Sequence, residues 1–226
     1  MINILDSETI NKIAAGEVVE RPSSVVKELV ENSIDAGSTA ITIEIKEGGI
    51  SFIRITDNGC GIPKEDIPKA FLRHATSKIK SVEDLLSVSS LGFRGEALSS
   101  IASVSQVELI TKTADEVSGY RYTCEGGTEG VCQEVGAPEG TTIVVRNIFY
   151  NTPVRRKFLK TASTEAGYVS SLVEHLALSH PDISFRFINN NQNKLHTSGN
   201  MNLLDIIYGV YGRDVARSLI KAEGKT

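Results

Sequence analysis

Val25, Val26, Leu29, Val30 and Ile34 recur at helical spacing, while Ser24, Glu28, Glu31, Asn32 and Asp35 fall on the opposite side. Pro22 stands in the first turn and Gly37 follows the last periodic residue, so the spacing predicts a helix over 22–35. Strand alternation comes next at 41–45 and 50–57, with Glu47-Gly48-Gly49 joining the two runs in hairpin fashion. Gly59 and Gly61 break that pattern, and 63–71 resumes as helix. A Ser-rich polar stretch over 77–90 precedes Leu91-Gly92-Phe93-Arg94-Gly95, which opens a helix over 96–104. Strands are predicted at 107–111, 120–124, 131–135 and 141–146, with the Gly-rich links 125–130 and 136–140 read as turns. A helix over 164–179 ends at His180-Pro181, and 183–188 with 194–197 reads as a last hairpin.

Helices and mostly antiparallel strands arrive in blocks rather than in strict βαβ alternation. The expected class is α+β, a two-layer sandwich of a mixed, mostly antiparallel sheet with helices on one face. The segment beyond residue 200 differs: Leu203, Leu204, Ile206, Ile207, Val210, Tyr211, Val215, Leu219 and Ile220 are strongly apolar and need something to pack against. The expected division is a domain over 1–200 and the truncated start of a second over 201–226.

Composition narrows the class. Of 226 residues, 40% are hydrophobic and 23% charged, enough apolar material for a sizeable core, which excludes a disordered or fibrous chain. No apolar run approaches the roughly 18 residues of a membrane span, and Met1 to Asp6 has neither a basic n-region nor an apolar h-region. Cys60, Cys124 and Cys132 lack metal-ligand spacing and fit a reducing, cytoplasmic setting. The net charge of −4 argues against a wholesale nucleic-acid coat. Between Gly140 and Thr164, however, stand Arg146, Arg155, Arg156, Lys157 and Lys160 and no acid. That island reads either as a contact for nucleic acid or a partner, or as a solvated basic helix face.

Candidate chemistry starts on the first predicted helix. Glu28, Asn32 and Asp35 share one stripe at i, i+4, i+7. A carboxylate beside a neutral amide suits a Mg²⁺-nucleotide site: the amide ligates the metal without repelling phosphate, and the carboxylate takes a proton from water. A solvated polar face gives the same pattern. Asp57 shares alternation phase with Ile53 and Ile55, so it points to the buried side and needs a donor. The exocyclic amino group of a base is one such donor, and Gly59 and Gly61 would let a planar ring lie against the backbone. Asp57-Asn58-Gly59 is equally a good turn sequence. Gly92 and Gly95 flank Phe93-Arg94 at a helix start, where backbone N–H groups can surround an anion. This is not a Walker A loop: the position five before Gly224 in Gly224-Lys225-Thr226 is Leu219, where that motif has Gly. Upstream, Thr76, Ser77 and Lys78 supply hydroxyls and an ammonium for phosphates, and Thr142, at a strand start, offers a hydroxyl near a base. His74, alone, reads as structural.

Taken together, 13–22 (Ile-Ala-Ala-Gly-Glu-Val-Val-Glu-Arg-Pro), 27–37, Asp57-Asn-Gly-Cys-Gly61, Arg73-His-Ala-Thr-Ser-Lys78, Gly92-Phe-Arg-Gly-Glu-Ala-Leu98 and Phe149-Tyr-Asn-Thr-Pro153 with Arg155-Arg-Lys-Phe158 resemble the N-terminal ATPase domain of MutL mismatch-repair proteins, in the GHKL superfamily. The Gly92–Leu98 segment separates the chain from the kinase, gyrase and chaperone branches. The resemblance implies ATP and Mg²⁺, with Glu28 as general base, Asn32 as Mg²⁺ ligand and Asp57 as acceptor for the adenine amino group, assisted by Thr142 and flanked by Gly61. Thr76, Ser77, Lys78 and the backbone of Gly92, Phe93, Arg94, Gly95 and Glu96 would hold the phosphates in a lid. It also implies self-association on ATP binding, a mismatch-recognition partner and weak DNA contact through Arg155, Arg156 and Lys157. The family uses a further lysine from the following domain at the γ-phosphate, which this chain is too short to supply. Three functions stay open at this point: a slow ATPase, a nucleotide-gated interaction module and a plain DNA-binding domain.

Overall fold

The computed structural model describes residues 6–75, 95–128 and 130–220. The first long apolar stripe forms its helix to the residue predicted, Pro22–Asp35, with Val25, Val26, Leu29 and Val30 fully buried beneath it. In chain order the helices are α1 (Ser7–Val18), α2 (Pro22–Asp35), α3 (Ile67–Ala70), α4 (Ala97–Ser103), α5 (Pro153–Phe158), α6 (Ala162–Ser179), α7 (Leu203–Tyr211) and α8 (Arg213–Ser218). The strands are β1 (Ala40–Lys46), β2 (Phe52–Asp57), β3 (Gln106–Lys112), β4 (Gly119–Glu125), β5 (Val131–Val135), β6 (Gly140–Arg146), β7 (Ser184–Asn189) and β8 (Gln192–His196).

The eight strands form one sheet in the order β5-β4-β3-β6-β2-β1-β7-β8. Every neighbouring pair is antiparallel except β1 and β7, which run parallel with Ile43 opposite Phe187. Register explains the two faces. One row across the sheet, Leu195, Phe187, Ile43, Ile55, Ile143, Leu109 and Tyr122, is buried throughout. The adjacent row, Arg186, Thr42, Thr56, Thr142, Ile110 and Arg121, is mostly polar and points the other way. On that second face Glu108 accepts ion pairs from Arg121 at 2.7 Å and Arg146 at 3.4 Å, and Glu44 pairs with Arg54. The first face carries the core, closed by α2, α4 and α6. This is the α+β sandwich expected from the sequence.

Several elements depart from expectation. No periodicity announced α1, because its Ile10 and Ile13 face solvent and Gly16 interrupts the last turn. Its start is fixed instead by Asp6, whose carboxylate accepts the Thr9 N–H at 2.7 Å. The helix expected over 63–71 is a 3-10 turn, Lys64–Asp66, followed by the single turn of α3, since Pro68 has no N–H to give the Lys64 carbonyl. In α6 the N-cap is Thr161, which accepts the Thr164 N–H at 3.3 Å. Thr161→Ala is expected to cost about 1 kcal/mol, read as a lowered urea midpoint with unchanged slope.

Candidate functional site

Three elements frame the candidate site: α2, the carboxyl end of β2 and the start of β6. The apolar arc of α2 anchors it on the sheet, leaving Glu28 and Asn32 half-buried on one flank and Asp35 exposed. Lys27 lies 3.7 Å from the Glu28 carboxylate and 3.1 Å from that of Glu31. Glu31, which the helical pattern grouped with the polar face, is buried, and its partner Lys27 relieves the cost of that burial.

Asp57 ends β2 in phase with the buried Ile53 and Ile55, as its alternation predicted. Its carboxylate is held by three protein donors. Oδ1 accepts the Gly59 N–H at 2.9 Å and the Thr141 N–H at 3.2 Å, and Oδ2 accepts the Ser33 hydroxyl at 2.7 Å. The first of these bonds is an Asx turn, so the turn reading of Asp57-Asn58-Gly59 holds. Asn58 completes it: its side-chain oxygen accepts from Thr39 and Ala40 N–H at 2.9 Å each, pinning the start of β1. The Ser33–Asp57 bond ties α2 to β2, fixing the Glu28–Asn32 flank relative to the Asp57 carboxylate. A carboxylate has about four lone-pair sites, and three are taken here, which leaves acceptor capacity on Oδ2.

Gly61 sits at φ +72°, and a side chain there would collide with the Lys112 carbonyl at the end of β3. The glycine is thus demanded by the protein's own backbone. Gly95, at φ +62°, packs against Ala75, whose carbonyl oxygen is 2.6 Å from where a Cβ would stand. Glu96 occupies the N-cap position of α4 without a side-chain capping bond, and its carboxylate lies 3.2 Å from His74 Nδ1, so residues 74–75 and 95–96 meet. Thr76, Ser77, Lys78, Gly92, Phe93 and Arg94 lie outside the described residues.

Thr142 does not join the cluster. It pairs with Thr56 in the β2–β6 register and donates to the Thr56 hydroxyl at 3.1 Å, on the face away from Asp57. Thr141 takes that place: it is buried, its N–H reaches Asp57 and its hydroxyl stands 3.1 Å from that of Thr111. Ile143-Val144-Val145 is a continuous apolar run, so alternation gave no phase for the two threonines and only the register decides. Ser33 was likewise passed over, although a hydroxyl seven residues after Val26 and four after Leu29 stands in the apolar arc, where it needs a partner. Among the described residues no group of three His, Cys, Asp or Glu could hold a metal. A hollow of about 400 Å³ lies elsewhere, between α6 and β7–β8, bordered by Ala162, Ala166, Phe187 and Lys194.

The basic island also changes character. Arg155 turns inward and its guanidinium donates to the Ile13 carbonyl of α1 at 3.1 Å, while Arg156 and Lys157 remain exposed on α5.

Comparison with known proteins identifies the family. Residues 20–135 fit the family described as histidine kinase-, DNA gyrase B-, and HSP90-like ATPase. The chain is 69% identical over 222 residues to the DNA mismatch repair protein MutL of Agathobacter rectalis, covering 98% of this chain and 34% of that protein. For MutL of Clostridium botulinum (strain Eklund 17B / Type B) the identity is 55%, over 98% of this chain and 33% of the relative. The chain thus spans about a third of the length of these relatives. Among solved structures, the Aquifex aeolicus MutL ATPase domain complexed with ADP superposes with a TM-score of 0.69 at 35% identity, over 86% of this chain and 70% of that one. A second, the N-terminal domain of a DNA repair protein, gives 0.76 at 29% identity, over 90% of this chain and 60% of that one. The chain belongs to the histidine kinase-, DNA gyrase B- and HSP90-like ATPases, and within them to the MutL ATPase domains.

Proposed function

We infer that this chain binds ATP between α2 and the ends of β2 and β6 and hydrolyses it slowly, as the nucleotide-driven part of a DNA mismatch repair protein. The observation that carries the reading is the Asp57 carboxylate, oriented by Ser33, Gly59 and Thr141, with Ser33 on the same helix that carries Glu28 and Asn32. A carboxylate so fixed, with spare acceptor capacity, selects a ring that offers an amino group and disfavours one offering a carbonyl at that position. Glu28 then serves as the base that takes the proton from the water attacking the terminal phosphate. Asn32 is the residue that would hold Mg²⁺. The donor set fits that ion: Mg²⁺ is usually held by one or two protein oxygens together with substrate phosphates and water, and a neutral amide adds no charge against the phosphates. Bound there, Mg²⁺ would neutralise charge on the phosphates.

Gly61, Gly95, Glu96 and the residues 76–78 and 92–94 complete the proposed site, with the latter two segments closing over the phosphates. Thr141 replaces Thr142 as the threonine beside the base. Ordering of that lid would bring two copies of the domain together, and release after hydrolysis would pass the signal from a mismatch-recognition protein to later repair factors. DNA contact would fall to Arg156 and Lys157. Residues 201–226 are proposed to begin a second domain: Ile206 is buried against the first, but Leu203, Leu204, Tyr208 and Tyr211 of α7 are exposed. The lysine implied by the family resemblance would come from that second domain, so turnover by this segment alone would be weak. No described helix is long and apolar enough to cross a membrane; the cytoplasmic setting proposed rests on the cysteine usage.

Calorimetric titration with Mg²⁺ and a non-hydrolysable ATP analogue tests the reading, and absence of binding to the intact protein would sink it. Ser33→Ala provides a finer check. Loss of one hydrogen bond to Asp57, worth about 0.5–1.5 kcal/mol, is expected to weaken ATP binding roughly three- to tenfold. The substitution leaves the Gly59 and Thr141 donors in place. Equal affinities for Ser33→Ala and wild type would remove Asp57 from the contact.

A further inference from the structure

The segment that follows β6 grips two helices at once. The Phe149 N–H donates to the Val104 carbonyl at 2.7 Å and the Asn151 amide donates to the Ser103 carbonyl at 2.9 Å, both at the carboxyl end of α4. A turn later, Arg155 Nη2 donates to the Ile13 carbonyl of α1 at 3.1 Å. The guanidinium fills the space over Gly16, where any side chain would collide with it, and its Nη1 is buried without a hydrogen-bond partner among the described residues. A half-buried guanidinium with one nitrogen unpartnered is an expensive way to fill space. Meanwhile α1 has no basic residue of its own in its last turn, and it packs on α4 through a side that buries Ala15 and Val19.

We propose that Arg155 is a positioning residue, a clamp that holds α1 on α4 and thereby supports the turn at Gly95 and Glu96 from which α4 starts. The charge that the sequence offers as a DNA contact is spent inside the domain. Gly16 is the other half of the device, since its missing side chain makes the seat for the guanidinium. The clamp touches α1 alone; it reaches α4 through the packing of α1 on α4, and α2 through residues 19–21 of the chain. The link to the nucleotide rests on the nucleotide reading; the clamp itself does not.

Hydrogen exchange of the intact, nucleotide-free protein reads the clamp directly. In Arg155→Ala the α1 amides are expected to exchange about tenfold faster, with those of the sheet unchanged. Arg155→Lys keeps a charge but not the planar fork and should fall between. Gly16→Ala should also speed exchange, although alanine is the better helix former, because its methyl evicts the guanidinium. The double variant should be no faster than the quicker single one, since both remove the same contact. Wild-type protection of α1 in Arg155→Ala overturns the clamp, and so do strictly additive effects. Loss of salt-sensitive DNA affinity with α1 still protected would return Arg155 to the surface role. For the link to the nucleotide, Arg155→Ala should raise the Kd of the ATP analogue several-fold. Faster α1 exchange at unchanged Kd refutes that link, whereas a wild-type protein that binds no analogue refutes the site reading and leaves the exchange data to decide the clamp.

Discussion

Glu28→Ala in the intact protein is expected to bind ATP about as tightly as wild type and to hydrolyse it some 10²- to 10⁴-fold more slowly. The side chain stands half-buried on the side of α2 away from the apolar arc, with Lys27 3.7 Å from its carboxylate. Its removal is expected to spare the fold and the Asp57 carboxylate, and to take away the proposed acceptor for the proton of water. Single-turnover hydrolysis measured beside equilibrium binding separates the two quantities. Turnover at the wild-type rate would mean that another group receives the proton. A parallel loss of affinity would mean that Glu28 supports the ground state as well.

Asp57→Asn is expected to act in the opposite sense, with ATP affinity falling about ten- to a hundredfold while the fold survives. Asparagine keeps an oxygen where Oδ1 accepts the Gly59 and Thr141 N–H groups, so the turn and the β2–β6 junction stay satisfied. At the Oδ2 position an NH₂ group now faces Ser33 and the proposed base. The Ser33 hydroxyl adapts by reversing its role, accepting where it donated at 2.7 Å. An amino group on the base cannot adapt, and two donors then confront each other. Calorimetry of the variant against ATP and GTP gives the decisive comparison. Unchanged ATP affinity excludes Asp57 from base recognition, whereas reduced discrimination between the two nucleotides at a preserved melting temperature supports it.

Much of this was legible in the sequence because the patterns were pure. The α2 stripe has one apolar arc and a clear Pro–Gly frame, so helix limits and buried side could both be read. Asp57 gave its direction because Ile53 and Ile55 alternate with polar residues before it. Where alternation lapses, so does legibility. Thr141 and Thr142 precede three consecutive apolar residues, and only pairing with Thr56 and Thr111 assigns their faces. The α1 helix shows apolar residues to solvent, and its contact with Arg155 spans some 140 positions that no local pattern connects. Ser33 was readable in principle, as a hydroxyl in an apolar arc, but its partner lies on another element.

The parallel pairing of β1 with β7 also governs how the domain comes into being. Ala40 lies opposite Ser184 and Phe52 opposite Arg146, so the β1–β2 hairpin has both of its outer neighbours far along the chain. During synthesis that apolar hairpin is complete long before either flank can be covered, and loop closure must be met before those pairings stabilise it. Ser33 and Asp57 can meet early, but the Thr141 N–H arrives only with β6, and β1 keeps an open edge until β7 is made. On the proposed reading, the carboxylate meant for the base is finished by a late strand, so nucleotide binding is expected only once the sheet has closed around it.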